Sequence, residues 1–265
     1  MAETNQIQLK VGRADKHIGE LQTVLRAFID SRPYVVGTKR DPQTRRLIYY
    51  IARAEPIPVE VALIAGDVLQ NLRTALDYLV CALVRAKGES DRMSAFPITD
   101  EEPVSKEQKA RFDARIEGMG DEAKEIIRRI RPYKGGDDIL WSLHALNNRD
   151  KHRLLFTVGA ALHAFDIGTY LTRPFLAKMA ETSGHPPPSL EMPLWLKPKD
   201  RMFPLKAGDE LFTDLPDAKP SKDIKFAFDI ALDEPGIVAG ESLIAIVRAR
   251  HQRVMRVVEM FAGLY

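Results

Sequence analysis

The sequence predicts an α+β fold: a central helical bundle, an N-terminal helix-and-hairpin extension, and a strand-rich C-terminal part closed by a long helix. Three stretches carry this expectation. Over residues 59–87, Ala65, Val68, Leu72, Ala75, Leu79 and Leu83 recur at steps of three and four, the spacing of one helix face. In "IKFAFDIALDEPG", Ile224, Phe226, Phe228, Ile230 and Leu232 alternate with period two, the spacing of one strand face. In the closing "ESLIAIVRARHQRVMRVVEMFAGLY", Leu243, Val247, Val254, Val258 and Phe261 again share a helical stripe, with His251 among them.

The elements follow in order. Residues 13–30 place Ile18, Leu21, Leu25 and Phe28 on one stripe and predict the first helix. After Pro33, "YVVGTKRDPQTRRLIYYIARA" reads as two extended segments around the turn at Asp41 and Pro42. The main helix over 59–87 stops at Gly88, which follows the basic residues Arg85 and Lys87. "AFPITD" is an anchored stretch around Phe96 and Pro97. A helical segment ending near Gly118 comes next, then "EAKEIIRRIR", halted by Pro132. Asp137 or Asp138 can cap the helix "DILWSLHALNNRDKHR". Beyond it, "LLFTVGAALHAF" fits either a strand or a buried helix, and "SGHPPPSLEMPLWLKPKDR" reads as a proline-rich surface connection. "MFPLKAGDELFTDL" suggests a hairpin turning at Gly208 and Asp209. The expected organisation is therefore an extension over 1–55, a bundle over 56–155 and an α+β region over 156–265.

Composition excludes several function classes. A chain of 265 residues can bury a proper core, and a net charge of +2 gives no global field for nucleic acid or anionic membrane. The single cysteine, Cys81, rules out an intramolecular disulfide framework and reads as a small buried hydrophobe. The first residues contain no apolar core like that of a signal peptide, and no uninterrupted run is long enough to span a bilayer. A cytoplasmic protein without membrane contact is expected. There is no glycine-rich phosphate loop and no nucleophile elbow, so no cofactor is expected.

The chemistry-bearing residues gather where an apolar helix runs on, without Gly or Pro, into "LNNRDKHR" at 146–153. His144, Asn148 and His152 stand at i, i+4 and i+8 and share a face. Ile139, Leu143, Leu146 and Asp150 form a second stripe, which brings Asp150 to the edge of the core, where a carboxylate needs a partner. Arg73 and Asp77, four apart on the main helix, flank apolar surface there. Packing the two helices is expected to join Arg73, Asp77, Asn147, Asp150 and His152 in one polar cluster. Such a cluster either fixes helix register or forms a site in which His152 exchanges protons beside cations. A divalent metal on His144, Asn148, His152 and Asp77 is a lesser option, because asparagine is a poor transition-metal ligand. "RRIRPYK", with Tyr133 among its cations, is a local patch that could grip single-stranded nucleic acid or simply complement a helix end.

"NLRTALDYL" followed by "LNNRDKHR" resembles a group of bacterial proteins that share these two helices and, more distantly, the HEPN domains (higher eukaryotes and prokaryotes nucleotide-binding). The resemblance covers about residues 59–153. It implies a helical bundle, often dimeric, that in many members acts as a metal-independent RNA endonuclease in toxin and defence systems. The family motif is an Arg, then a polar residue, then a His about four positions further on. Aligning His152 with that His sets Asn148 at the polar position and Asn147 where the family has Arg, a departure from the pattern. Arg149 and Arg153 flank the His as substitute cations. The implied catalytic set is His152, Asn148, Asn147, Arg149 and Asp150, with Arg73, Asp77, Arg153, Lys151 and His144 supporting. RNA or another phosphate-bearing ligand is the expected partner. The strongly apolar final helix points either to a homodimer or to packing on the bundle. The competing expectation is a non-catalytic structural or interaction protein whose cluster is an internal strut.

Overall fold

The computed structural model describes residues 2–152, 158–183, 192–198 and 202–265, with side chains described from Gln6 onward and not at 150–152. It is a mixed α+β structure with two antiparallel sheets, and the described elements include seven helices. The three consecutive segments expected from sequence correspond instead to two interleaved units. The first gathers residues 1–26, 58–157 and 232–265; the second gathers 27–57 and 158–231.

The first unit is the helical one. α1 (Ala2–Asp30) begins well before the expected position, and Ile7, Val11 and Ala14 extend its buried stripe ahead of Ile18, Leu21 and Leu25. α2 (Val59–Arg85) buries Leu69, Leu72, Leu76, Leu79 and Leu83, and Gly88 follows it with φ of +76°, a conformation that glycine adopts without strain. α3 (Lys106–Ala114) starts in a reciprocal cap, with the Ser105 hydroxyl accepting from Gln108 N–H while the Gln108 side chain accepts from Ser105 N–H. α4 (Asp121–Ile130) ends at Arg131, in the left-handed region just before Pro132. α5 (Asp138–His152) is capped by Asp137, whose carboxylate accepts from Leu140 N–H at 3.1 Å. α7 (Leu243–Met260) packs against both α2 and α5, burying Leu243, Val247, Val254 and Val258. This is why the last segment of the chain belongs with the middle one.

The second unit holds most of the strands. β1 (Tyr34–Arg40) and β2 (Arg46–Ala54) pair antiparallel around a turn in which Asp41 accepts from Gln43 N–H and the Thr44 hydroxyl. The turn at 206–209 forms as expected, closed by Asp209 N–H to Lys206 C=O at 3.2 Å. The hairpin does not, because β5 (Glu210–Pro216) pairs with β2 in the order β1-β2-β5 rather than with residues just before it. A second sheet has the order β4-β3-β6-β7. There β3 (Val158–Asp166) resolves the ambiguous "VGAALHAFD" as strand. β4 (Trp195–Leu196) is its short edge, β6 (Lys225–Glu234) contains the point at 231–232 where the second unit ends and the first resumes, and β7 (Val238–Ser242) follows. α6 (Gly168–Ser183) was not expected. Its first residue has no room for a side chain, since a Cβ there would meet the Met192 carbonyl oxygen at 1.9 Å. The expectations placed on Arg153, Leu154–Thr157, and His185 with the prolines after it lie outside the described residues.

Candidate functional site

The polar cluster is built on α2, α5 and the stretch around Phe96. Arg73 and Asp77 stand one turn apart on α2, and their i, i+4 spacing brings Nη1 to 2.5 Å from Asp77 Oδ1. Arg73 is 7 % exposed, and each of its three nitrogens has a partner. Nη2 donates to the Phe96 carbonyl at 3.0 Å, and Nε donates to His144 Nδ1 at 3.2 Å. The same Asp77 oxygen accepts from Phe96 N–H at 3.0 Å. One ion pair therefore satisfies both backbone polar groups of Phe96, whose ring is wholly buried.

His144 continues the network along α5. Burial first, then the nearby cations Arg73 and Arg115, push its pKa down to about 4, so the ring is neutral at pH 7. Because Arg73 Nε–H occupies the lone pair on Nδ1, the single ring proton sits on Nε2. Asn148 Nδ2 lies 3.0 Å from that Nε2. Two donors cannot face each other, so the Asn148 amide must be turned to present its oxygen, a rotation that leaves its shape unchanged. Both ring nitrogens are then engaged by protein groups. For Arg73 itself, burial lowers the pKa while Asp77 opposes the shift.

A cavity of 310 Å³ adjoins the cluster, lined by His144, Asp100, Gln108, Arg111, Phe112 and Arg115. Its polar groups are also engaged. Asp100 accepts from Trp141 Nε1 at 3.2 Å, and Arg115 donates to the Ile98 carbonyl at 3.1 Å.

The expected site residues thus separate. Arg73, Asp77, His144 and Asn148 come together. Asn147 does not join them: it is 2 % exposed, and its Oδ1 has no hydrogen-bond partner among the described residues. Arg149 turns to the end of β6, pairing with Glu234 at 2.8 Å and with the Pro235 carbonyl at 3.1 Å. Asp150, Lys151 and His152 close α5, but their side chains lie outside the described residues, as does Arg153. The "RRIRPYK" patch offers no free ring for stacking, because Tyr133 is 7 % exposed and lies under the Arg131 guanidinium at 5.3 Å. Cys81 is partly buried rather than fully so, and burial raises its thiol to about 11, far from a reactive thiolate. Among the described residues no group of three His, Cys, Asp or Glu is placed to hold a metal ion, and no helix is long and apolar enough to cross a membrane. Sequence reasoning missed Phe96, Asp100 and Arg115 as members of this neighbourhood. Backbone groups leave no trace in residue identity, and neither Asp100 nor Arg115 sits at a telling spacing.

A second buried cation, Arg250 on α7, is 6 % exposed and donates to Ser142 Oγ at 2.7 Å and to the Ile246 carbonyl at 3.0 Å. Its Nε has no partner among the described residues, and burial draws its pKa down to about 10. Glu241 offsets the buried charge only in part, since burial dominates the shift, and such a charge costs more than an apolar side chain of the same length. Arg250→Met is therefore expected to leave unfolding free energy unchanged or raise it by about 1 kcal/mol in urea titration. A fall of more than about 2 kcal/mol would show that its two hydrogen bonds outweigh its desolvation.

Comparison of the chain with protein-family models, with curated proteins and with solved structures finds no match.

Proposed function

We propose that this is a non-catalytic structural or protein-interaction protein, in which the Arg73–Asp77–His144–Asn148 cluster sets the packing of α2 against α5. One observation carries the reading: every nitrogen of Arg73 and both ring nitrogens of His144 are spent on protein partners. A general base needs an open lone pair, and the Nδ1 lone pair of His144 is taken; a phosphate clamp needs donors that a ligand can reach, and Arg73 is 7 % exposed with three of its five N–H groups on protein partners. The burial of Asn147 at 2 % exposure supports the same reading, since that position is the one the HEPN motif gives to its phosphate-facing Arg. The interaction half of the proposal is supported by α6, where Leu171, Phe175 and Met179 lie on one face and are 55 %, 65 % and 54 % exposed.

The second reading, a HEPN-like RNA-binding protein or metal-independent ribonuclease, is favoured by the packing of α2 on α5, the two helices that carry the resembling segments. It would place the chemistry on His152. Purified protein incubated with a mixed RNA substrate in EDTA, beside His152→Ala, separates the two. The proposal expects intact RNA with both proteins. Metal-free cleavage by the parent, lost in a folded His152→Ala, would replace it with the ribonuclease reading.

A further inference from the structure

The second unit contains a cavity of 490 Å³ that shares no lining residue with the cluster and has no part in the proposed role. Tyr34, Tyr49, Phe226 and Phe228 supply its aromatic wall, with Ser221 and Lys222 among its polar lining. The rings are already in contact with one another: Tyr34 and Phe228 are 5.2 Å apart at 54°, and Tyr49 and Phe226 are 5.9 Å apart at 45°. Tyr34, Phe226 and Phe228 are nonetheless only partly buried, so apolar ring surface is left in water that a bound molecule could cover. The volume falls in the range of small-molecule sites, roughly 300–1,000 Å³, and the lining has their usual character, apolar with few polar groups.

The polar groups are one-sided. Lys222 is the single formal charge among the described lining residues, and none of those residues is a carboxylate. The Tyr49 hydroxyl is held by Ser221 N–H at 2.9 Å. The Tyr34 hydroxyl is buried and has no hydrogen-bond partner among the described residues. Burial raises its pKa to about 12, so it stays a neutral O–H, sealed from solvent behind the ring that lines the cavity. A wall of rings with a single ammonium at its edge suits a ligand with a flat apolar body and an anionic head. We infer that this cavity binds a small amphipathic anion with an aromatic body, its rings stacked among Tyr34, Tyr49, Phe226 and Phe228 and its head towards Lys222.

The test uses the full chain and two fluorescent probes that share one body, 1-anilinonaphthalene-8-sulfonate and N-phenyl-1-naphthylamine, which lacks the sulfonate. Both are expected to bind saturably at one site per chain, the sulfonate more tightly. Thr38→Trp fills the cavity mouth from an exposed position without removing any core group, and is expected to weaken both probes about tenfold or more. Lys222→Gln is expected to weaken the sulfonate about threefold and leave the neutral probe unchanged. Non-saturable binding, or binding indifferent to Thr38→Trp, would overturn the site. Equal effects of Lys222→Gln on the two probes would overturn the anionic head. Dimerisation that Thr38→Trp abolishes, with no probe bound by the parent, would reassign the cavity to contact between chains.

Discussion

Arg73→Met is expected to lower the unfolding free energy by about 3 kcal/mol or somewhat more, with the midpoint of urea denaturation shifted and the slope unchanged. Methionine nearly matches the length and volume of arginine, so no large cavity opens, and the cost is electrostatic. The substitution removes the donor to His144 Nδ1 and one donor each from the Phe96 carbonyl and the Asp77 carboxylate, which still accept from Ile98 N–H and Phe96 N–H. Each buried acceptor left without a donor costs about 1–3 kcal/mol. Asp77 sits at the low end of its range, because its side chain is 35 % exposed and water can replace part of what is lost. A cycle with Asp77→Leu checks the assignment. The double variant should lose clearly less than the two single losses added, because the charge orphaned by Arg73→Met is then also gone. A loss below about 1 kcal/mol for Arg73→Met, or strict additivity in the cycle, would remove the basis for calling the cluster a strut.

Acidification is expected to destabilise the protein between about pH 6.5 and pH 4, with His144 responsible. Its pKa in the folded state is about 4, against an ordinary value of 6.5. In that window the unfolded chain binds the proton and the folded one does not, so stability falls as pH falls, and the loss is complete only below the folded value. The ceiling is about 3 kcal/mol, and partial exposure of the ring brings the expected loss nearer to 2 kcal/mol. The origin is concrete: a protonated Nδ1–H would point at the Arg73 guanidinium, donor against donor and cation against cation. Denaturation curves across this pH range give the slope, and His144→Gln should flatten it while costing some stability at pH 7. An unchanged slope in that variant would assign the acid sensitivity to other groups.

Local pattern was legible wherever burial imposes a period. α2, α7 and β6 each show an apolar stripe because each has one face against a core, and the expected stripe residues of α2 and α7 are buried. α6 escaped notice for the converse reason. Its apolar side chains at 171, 175 and 179 are exposed, and Pro174 lies inside the helix, so neither periodicity nor breaker rules point to it. The early start of α1 was hidden by a polar opening in which only every third or fourth residue is buried. Pairings across long sequence distance were not legible at all. The turn at Gly208 could be read, yet the strand after it pairs with Tyr49 and its neighbours far upstream, a choice set by tertiary packing. The site divides in the same way. Arg73 with Asp77, and His144 with Asn148, follow from helical spacing, whereas the pairing of Arg149 with Glu234 could not be read, because Glu234 lies in a different part of the chain.

The return of α7 to α2 and α5 bears on how the molecule is made. A nascent chain leaving the ribosome presents the α2 stripe early, but the helix that covers it begins only at Leu243. The strands over 158–231 are therefore translated while the α2 stripe still waits for its cover, and the first unit closes only as synthesis ends. Removing residues 243–260 should leave chains that collect on holdase chaperones or precipitate rather than a smaller folded protein, since the apolar faces of α2 and α5 would stay open to other chains.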